Sequence, residues 1–160
     1  MPRPTKPTPA RTPVAALDAH LGFWLRFVSN HVSLRFQQQL EAHGVSVTEW
    51  VALRTLLAQP DCSHAMLMDA LGMTKGAASK VITRLADKGL AGRQLAEGRA
   101  REQLLRLTAA GQALVPRLAA LADANDQHFF GHLPAAQRQA LKHTLQALVQ
   151  HHQLKELPTG

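Results

Sequence analysis

The sequence predicts a mainly α-helical fold with one small β-hairpin, and two observations lead to this prediction. Apolar residues recur every three or four positions near both ends of the 160-residue chain, the spacing of a helix that buries one face. The segment between these ends contains shorter helical patterns, followed by two short runs around a glycine-containing turn. We therefore expect long terminal helices on either side of a compact centre.

Residues 1–13 are rich in proline, threonine and arginine and lack an apolar core. We expect them to form a disordered basic tail rather than a signal peptide. No apolar run approaches the length of a membrane span, and the single cysteine, Cys62, excludes an internal disulfide. These observations predict a cytoplasmic protein without membrane contact.

Residues 14–46 are predicted to form the first dimerisation segment, with one long helix from residue 14 to about residue 43. Its apolar stripe consists of Leu17, Leu21, Trp24, Val28, Val32, Phe36 and Leu40. A helix of roughly eight turns cannot bury its own apolar face, so this segment is expected to mediate dimerisation.

Residues 109–155 carry two further helical patterns and are expected to complete the dimerisation region. Their apolar positions are Leu114, Leu118, Leu121 and Phe129, then Leu141, Leu145 and Leu148. Pro116 should bend the first of these helices because proline lacks an amide donor, and Pro134 is expected in the first turn of the second. The apolar stripes at both ends of the chain predict a homodimer.

The central residues 47–108 begin with two short helices, one at 48–58 with Trp50 in the core and one between Ser63 and Gly72. A third helix should start at Thr74, whose hydroxyl can cap the first amides, and end at a left-handed Gly89. The helical spacing buries Ala78, Val81, Ile82 and Leu85. The exposed face then carries Lys75, Ser79, Lys80, Thr83 and Arg84.

The hairpin is predicted from residues 90–95 and 100–107, which flank a possible turn at 96–99 containing Gly98. Alanine, glutamine and leucine are not strong strand formers, so in isolation these runs are equally compatible with a helix. The helix–turn–helix pattern immediately upstream favours the hairpin, and residues 47–108 are therefore predicted to form a winged helix-turn-helix domain.

The formal charge of +7 is concentrated in residues 75–106, which contain eight basic and three acidic residues. A positive site of this kind indicates a nucleic-acid partner, whereas scattered surface lysines would only favour solubility. The major groove of duplex DNA accepts one α-helix, and the small Gly76 would allow close approach. We predict DNA contacts from Thr74, Lys75, Gly76, Ser79, Lys80, Thr83 and Arg84.

Four segments resemble the MarR family of bacterial winged-helix regulators, over about residues 21–152. They are Thr48-Glu-Trp-Val-Ala-Leu-Arg-Thr-Leu56, Gly72-Met-Thr-Lys-Gly-Ala-Ala-Ser-Lys-Val-Ile-Thr-Arg-Leu85, Lys88-Gly-Leu90 and Leu107-Thr-Ala-Ala-Gly111. The resemblance implies a homodimer whose two recognition helices contact successive major grooves of a pseudo-palindromic operator.

The family usually has an Asp-x-Arg motif in the wing, in which the carboxylate holds an arginine that enters the minor groove. This chain has Arg99-Ala-Arg101 instead, so Arg101 occupies the arginine position and Arg99 the position of the acid. Glu97 could supply the carboxylate, or the turn could be shifted. The resemblance implies DNA contacts from Arg99 and Arg101.

The family's effector cleft lies beside the first long helix, where this chain has aromatic residues with polar neighbours. The predicted ligand contacts are His20, Trp24, Phe27 and His31, accompanied by Phe23. These residues suit a small aromatic or phenolic effector, although an aromatic stripe at helical spacing also suits a dimer core.

No metal, cofactor or catalytic function is predicted. His128 and His132 are four residues apart and His151 and His152 are adjacent, but no further ligands cluster with them in the sequence. A redox role for Cys62 would require a neighbour such as His64 to lower the pKa of its thiol. No nucleophile elbow, phosphate-binding glycine loop or metalloprotease motif is present.

The sequence therefore predicts a homodimeric, sequence-specific transcriptional regulator, a repressor released by a small effector. One alternative is an architectural protein that binds DNA without sequence preference. Another is a dimer that has lost DNA binding and acts as a protein-interaction module, which the basic helix disfavours.

Overall fold

The computed structural model describes residues 14–95 and 103–155. Within these ranges the helices, in chain order, are α1 (Leu21–Glu41), α2 (Val47–Ala58), α3 (His64–Leu71), α4 (Lys75–Asp87), α5 (Ala109–Phe130) and α6 (Ala135–His151). The strands are β1 (Cys62–Ser63), β2 (Ala91–Leu95) and β3 (Gln103–Leu107). This is the predicted helical fold with a small sheet. The predicted tail, residues 1–13, lies outside the described residues.

The chain divides between His31 and Val32 into two compact units. In the first, the prediction of a helix from residue 14 is wrong. A 3₁₀ turn occupies Leu17–Ala19, and α1 begins only at Leu21 because Ala16 and His20 have extended backbone angles. The side chains of Trp24, Leu25, Phe27 and Val28 are each between 44% and 52% exposed.

The core of the second unit is formed by leucines from successive helices. Leu40, Leu53, Leu67, Leu85 and Leu118 each have no exposed surface. Trp50 packs at the margin of this core, partly buried, with its ring 6.1 Å from that of Phe36 in an edge-to-face arrangement. The guanidinium of Arg54 lies 5.5 Å from the centroid of the Trp50 ring on the same helix. The core thus fixes α2 to α5 around the short sheet.

The three strands form an antiparallel sheet in the order β1–β3–β2. Five residue pairs join β2 to β3, from Ala91 opposite Leu107 to Leu95 opposite Gln103. The hairpin prediction is therefore confirmed, and the helical alternative for this segment is wrong. The turn with Gly98 lies outside the described residues. The sequence did not predict β1, which pairs Cys62 with Leu105.

Helix α2 begins with a capping box that the sequence analysis did not identify. The Ser46 hydroxyl accepts a hydrogen bond from the Glu49 amide (3.2 Å), and the Glu49 carboxylate accepts one from the Ser46 amide (2.8 Å). Lys88 Nζ donates to both oxygens of this carboxylate at 2.8 and 2.7 Å, and to the carbonyl oxygen of Gly44 at 2.7 Å. The side chain of Glu49 is buried, and its hydrogen bonds connect the start of α2 to the end of α4.

Stability should depend on pH through Glu49. Burial alone would raise the pKa of this carboxyl, but the hydrogen bonds from Lys88 and Ser46, with the charges of Lys88 and Arg84, bring it below the ordinary value. Because its folded-state pKa is lowered, the ionised Glu49 carboxylate stabilises the fold at pH values above the ordinary glutamate pKa of about 4.3. This stabilisation is lost as the pH falls through the folded-state pKa.

Urea unfolding of the protein and of a Glu49→Gln variant at a series of pH values would measure this effect. The stability difference between the two should stay constant near neutral pH and shrink in acid. A difference that does not change with pH would contradict the prediction.

The start of α5 packs closely on the segment before β2. Gly111 is buried in the first turn, where a Cβ atom would overlap the carbonyl oxygen of Leu90 and lie 3.0 Å from its carbonyl carbon. That carbonyl oxygen already accepts a hydrogen bond from the Thr108 amide (3.0 Å), so its position is fixed. A glycine is required here because the two backbones approach without room for a side chain.

The C-terminal helices differ from the prediction in one detail, since Pro134 is the residue before α6 rather than in its first turn. Helix α5 continues through Pro116, and the bend expected there stays a prediction. On α5 the buried Asn125 donates to the carbonyl oxygen of Val32 (3.1 Å) and accepts from Arg35 (3.0 Å). None of the residues of α6 is buried within the described chain.

Candidate nucleic-acid interface

Both predicted ends of the basic helix α4 are confirmed. The Thr74 hydroxyl accepts a hydrogen bond from the Ala77 amide at 3.3 Å, which caps the helix start. At the other end Gly89 adopts a φ of 67°, and the Leu90 amide donates to the carbonyl oxygen of Leu85 at 2.9 Å. These caps define both ends of a helix of 13 residues.

Packing fixes which face of α4 meets solvent. The four residues predicted to be buried are at most 5% exposed, namely Ala78, Val81, Ile82 and Leu85. The opposite face exposes Lys75, Lys80, Thr83 and Arg84. In the described chain, no carboxylate forms an ion pair with Lys75 or Lys80. These cations are therefore available to neutralise phosphates.

A shallow depression of about 290 Å³ lies on the exposed face of α4, lined by Ser79, Lys80, Thr83 and Arg84. Ser79 is only partly exposed, because its hydroxyl oxygen lies 3.0 Å from Nε2 of His64 at the start of α3. The Thr83 hydroxyl donates to the carbonyl oxygen of Ser79 at 2.9 Å. Among the described residues, no atom lies within 4 Å of the position of a Cβ atom on Gly76, so this part of the chain leaves the backbone there open to a partner.

The predicted wing contacts Arg99 and Arg101, together with Glu97, lie outside the described residues. The base of the wing is described, and Arg106 on β3 forms an exposed ion pair of 2.7 Å with Asp61. Its guanidinium also donates to the Gln94 side chain on β2 at 3.4 Å. These contacts connect the wing to the loop that precedes β1.

Comparison with known proteins identifies the family. A family model described as the MarR family matches residues 43–102, which include α2, α3, α4 and β2. The HTH-type transcriptional repressor Rv2887 of Mycobacterium tuberculosis is 31% identical over 131 residues, which is 82% of this chain and 94% of that protein. The chain belongs to the MarR family.

Solved structures of MarR-family proteins share this fold. Rv2887 in complex with DNA has a TM-score of 0.69 at 31% identity, covering 82% of this chain and 98% of that one. BpsR of Bordetella bronchiseptica, whose DNA binding is regulated by 6-hydroxynicotinic acid, has a TM-score of 0.71 at 26% identity, covering 85% and 97%. Wild-type MarR of Escherichia coli has a TM-score of 0.67, covering 81% of this chain and 97% of that one. At 20% identity, it supports the fold alone.

MarR-family proteins are DNA-binding transcriptional regulators and not enzymes, and this chain has their winged helix-turn-helix. Because proteins of this family bind DNA, family membership indicates a partner for the basic face of α4. None of the described helices is both long and apolar enough to cross a membrane.

Three of the four predicted ligand residues of this MarR-family protein, Trp24, Phe27 and His31, lie together on α1 in the first unit. The rings of Phe27 and His31 are 4.7 Å apart, and those of Trp24 and Phe27 are 6.4 Å apart. The Trp24 indole donates to the carbonyl oxygen of Asp18 at 2.8 Å, and His20 is exposed. This arrangement is an aromatic cluster along one helix. Both interpretations, effector contact and dimer core, stay predictions.

The environment of Cys62 argues against the alternative redox role. The thiol is completely buried, and burial raises its pKa, whereas a redox-sensitive cysteine needs an exposed thiolate. The ring of His64, which could have activated it, bonds to Ser79 instead. In residues 14–95 and 103–155, no three histidine, cysteine or acidic side chains are grouped closely enough to hold a metal ion.

Proposed function

We propose that the protein is a homodimeric repressor that binds a pseudo-palindromic operator through α4 and the wing, and that a small effector releases it. The observation that carries this proposal is the basic and hydroxyl-bearing face of α4, held outward by the buried opposite face. Two such helices about 34 Å apart would fit successive major grooves on one side of the duplex. The protein would act in the cytoplasm, where it meets the chromosome.

Two properties of Rv2887 support DNA binding and repression by this chain. That protein is named a transcriptional repressor, and it has been crystallised with DNA. Because the chains align over almost the full length of Rv2887, the similarity includes both the binding domain and the terminal helices. The proposed contacts are Thr74, Lys75, Gly76, Ser79, Lys80, Thr83 and Arg84 on or beside α4, and Arg99 and Arg101 in the wing.

The terminal helices support the homodimer. Leu141, Leu145, Leu148 and Val149 of α6 are each between 40% and 45% exposed in the single chain. Three of them line an open groove of about 790 Å³ between α5 and α6. A helix of 17 residues with no buried side chain is marginal by itself, so a second copy is the natural cover for this face. We assign residues 14–46 and 109–155 to dimerisation on this basis.

Specific and architectural DNA binding can be separated by competition. A specific regulator binds its site about 10³- to 10⁷-fold more tightly than random duplex, whereas an architectural protein shows little preference. Selection from a randomised duplex library, followed by competition with random DNA, would measure this ratio. Failure to enrich any sequence would favour the architectural alternative.

Replacement of the wing arginines should weaken binding without changing base preference. If Arg101 contacts one phosphate, Arg101→Ala should reduce the slope of log K against log salt by about 0.9 and lower the affinity for all duplexes alike. Arg99→Ala tests the neighbouring position in the same way. Binding titrations at several salt concentrations would measure the slope. Unchanged affinity and slope in the double variant would contradict the wing assignment.

Effector release is proposed for a small aromatic acid or phenol that binds at His20, Trp24, Phe27 and His31. The regulation of BpsR by 6-hydroxynicotinic acid, a hydroxylated heteroaromatic acid, supports this class of compound. A coupling free energy of about 1–3 kcal/mol would lower operator affinity about 5- to 150-fold. A screen of such compounds for operator release, repeated with Trp24→Ala, would test the site. Equal release from the variant would place the ligand elsewhere.

A further inference from the structure

A hydrogen bond connects the first helix of the helix–turn–helix to the face of the second. Nε2 of His64, the first residue of α3, lies 3.0 Å from Oγ of Ser79 in α4. Both side chains are partly buried. The backbone at His64 is held in place because Ser63 caps α3, its hydroxyl accepting from the Met66 amide at 3.2 Å. The His64 ring is therefore attached to a fixed point beside α4.

The chemistry of this contact limits what Ser79 can offer to a partner. A serine hydroxyl has one proton and two acceptor positions, while each imidazole nitrogen is either a donor or an acceptor. If Nε2 carries no proton, Ser79 donates to it and presents only lone pairs elsewhere. If Nε2 carries a proton, Ser79 accepts from it and keeps its own proton free. The state of His64 thus determines the polarity of the Ser79 hydroxyl.

Ser79 differs from the other hydroxyl in the depression on α4. Thr83 donates its proton to the carbonyl oxygen of Ser79 within the helix, so α4 itself fixes the polarity of Thr83. For Ser79, the described residues provide a partner from a different helix. Lys80 and Arg84 border the same depression and only donate hydrogen bonds. Ser79 is therefore the group in this depression whose hydrogen-bonding role is controlled from outside α4.

We propose that His64 is a positioning residue for base discrimination, which fixes whether Ser79 presents its proton or its lone pairs to the major groove. This inference rests on the proposed function, because it requires α4 to lie in that groove. Lone pairs favour the exocyclic amines of adenine or cytosine, whereas a free proton favours N7 of a purine, O6 of guanine or O4 of thymine. His64 acts on this choice without contacting a base.

The test compares base preferences of variants on one randomised duplex library. The full-length protein, Ser79→Ala, His64→Ala and the double variant are each used to select sequences, and the affinities of single-base variants of the preferred site are then measured. We expect His64→Ala and Ser79→Ala to reduce discrimination at the same base pair by about three- to tenfold, as for one net hydrogen bond. The double variant should show no further loss, because the two residues act as one unit.

A structural role for His64 predicts a different result, namely equal weakening of all duplexes with the order of preference unchanged. That result, or retention of the original preference by His64→Ala, would overturn the proposal. Met66→Ala is the matched control, since Met66 is an exposed residue of the same short helix and its removal should leave the preference unchanged.

If His64→Ala fails to fold, His64→Gln gives the same comparison. A glutamine amide can turn either its oxygen or its nitrogen toward Ser79, so the fixed polarity is lost while a hydrogen-bonding partner remains. If the unmodified protein enriches no sequence at all, the proposed function fails. If it enriches a site whose base preferences are unaffected by Ser79→Ala, only the inference about Ser79 and His64 fails.

Discussion

A Gly111→Ala substitution is expected to destabilise the fold by about 3 kcal/mol, at the upper end of typical overpacking costs. The added methyl group would overlap the carbonyl oxygen of Leu90, which is already bonded to the Thr108 amide. The amide of Leu90 in turn closes the end of α4, so Leu90 cannot move without disturbing both α4 and the start of α5. Urea or thermal unfolding would measure the loss.

The sign of the change in stability distinguishes the packing effect from helix propensity. Alanine favours a helix by about 1 kcal/mol over glycine, so α5 considered alone would be stabilised by the substitution. Gly92→Ala provides the matched control, because no atom of residues 14–95 and 103–155 lies within 4 Å of the added Cβ position in β2 and the backbone has no positive φ. It should leave stability almost unchanged or raise it slightly. A neutral or stabilising effect of Gly111→Ala would contradict the packing described for this turn.

A Leu145→Glu substitution is expected to weaken the proposed dimer by about 10³-fold. Only the exposed 40% of each Leu145 side chain can be buried by the partner, so each copy would lose about 0.6–1.2 kcal/mol of burial, and a symmetric dimer contains two copies. The introduced carboxylates would add a desolvation cost. Sedimentation equilibrium at several concentrations would measure the shift from dimer to monomer.

Ala147→Glu introduces the same charge on the same helix and serves as the control. Ala147 lies about 160° around α6 from Leu145 and does not line the groove between α5 and α6. It should leave the association unchanged. Equal weakening by both substitutions, or none by Leu145→Glu, would contradict the assignment of the α6 apolar stripe to the dimer.

Sequence periodicity predicted the parts of the fold that depend on local rules. The buried and exposed faces of α4, its hydroxyl cap at Thr74 and its left-handed end at Gly89 all follow from residues within one short segment. The start of α1 was missed for a related reason. The apolar spacing continues before Leu21, but spacing alone does not detect the extended backbone at His20.

The features that the sequence did not predict depend on contacts between distant segments. Strand β1 has only two residues, and it becomes a strand because Cys62 pairs with Leu105. Asn125 lies in an apolar stripe, and its burial is explained only by its partners Val32 and Arg35. The contact between His64 and Ser79 requires the relative orientation of α3 and α4, which no local pattern contains.

The register of the small sheet has a consequence for how this protein can diverge. The pairing of β2 with β3 is regular along its whole described length, and β1 holds the other edge of β3. The described ladder ends at the pair of Leu95 and Gln103, so a change of length beyond this pair does not by itself require a shift in the register of the strands. Descendants of this sequence could vary the length and charge of the wing tip while keeping this register.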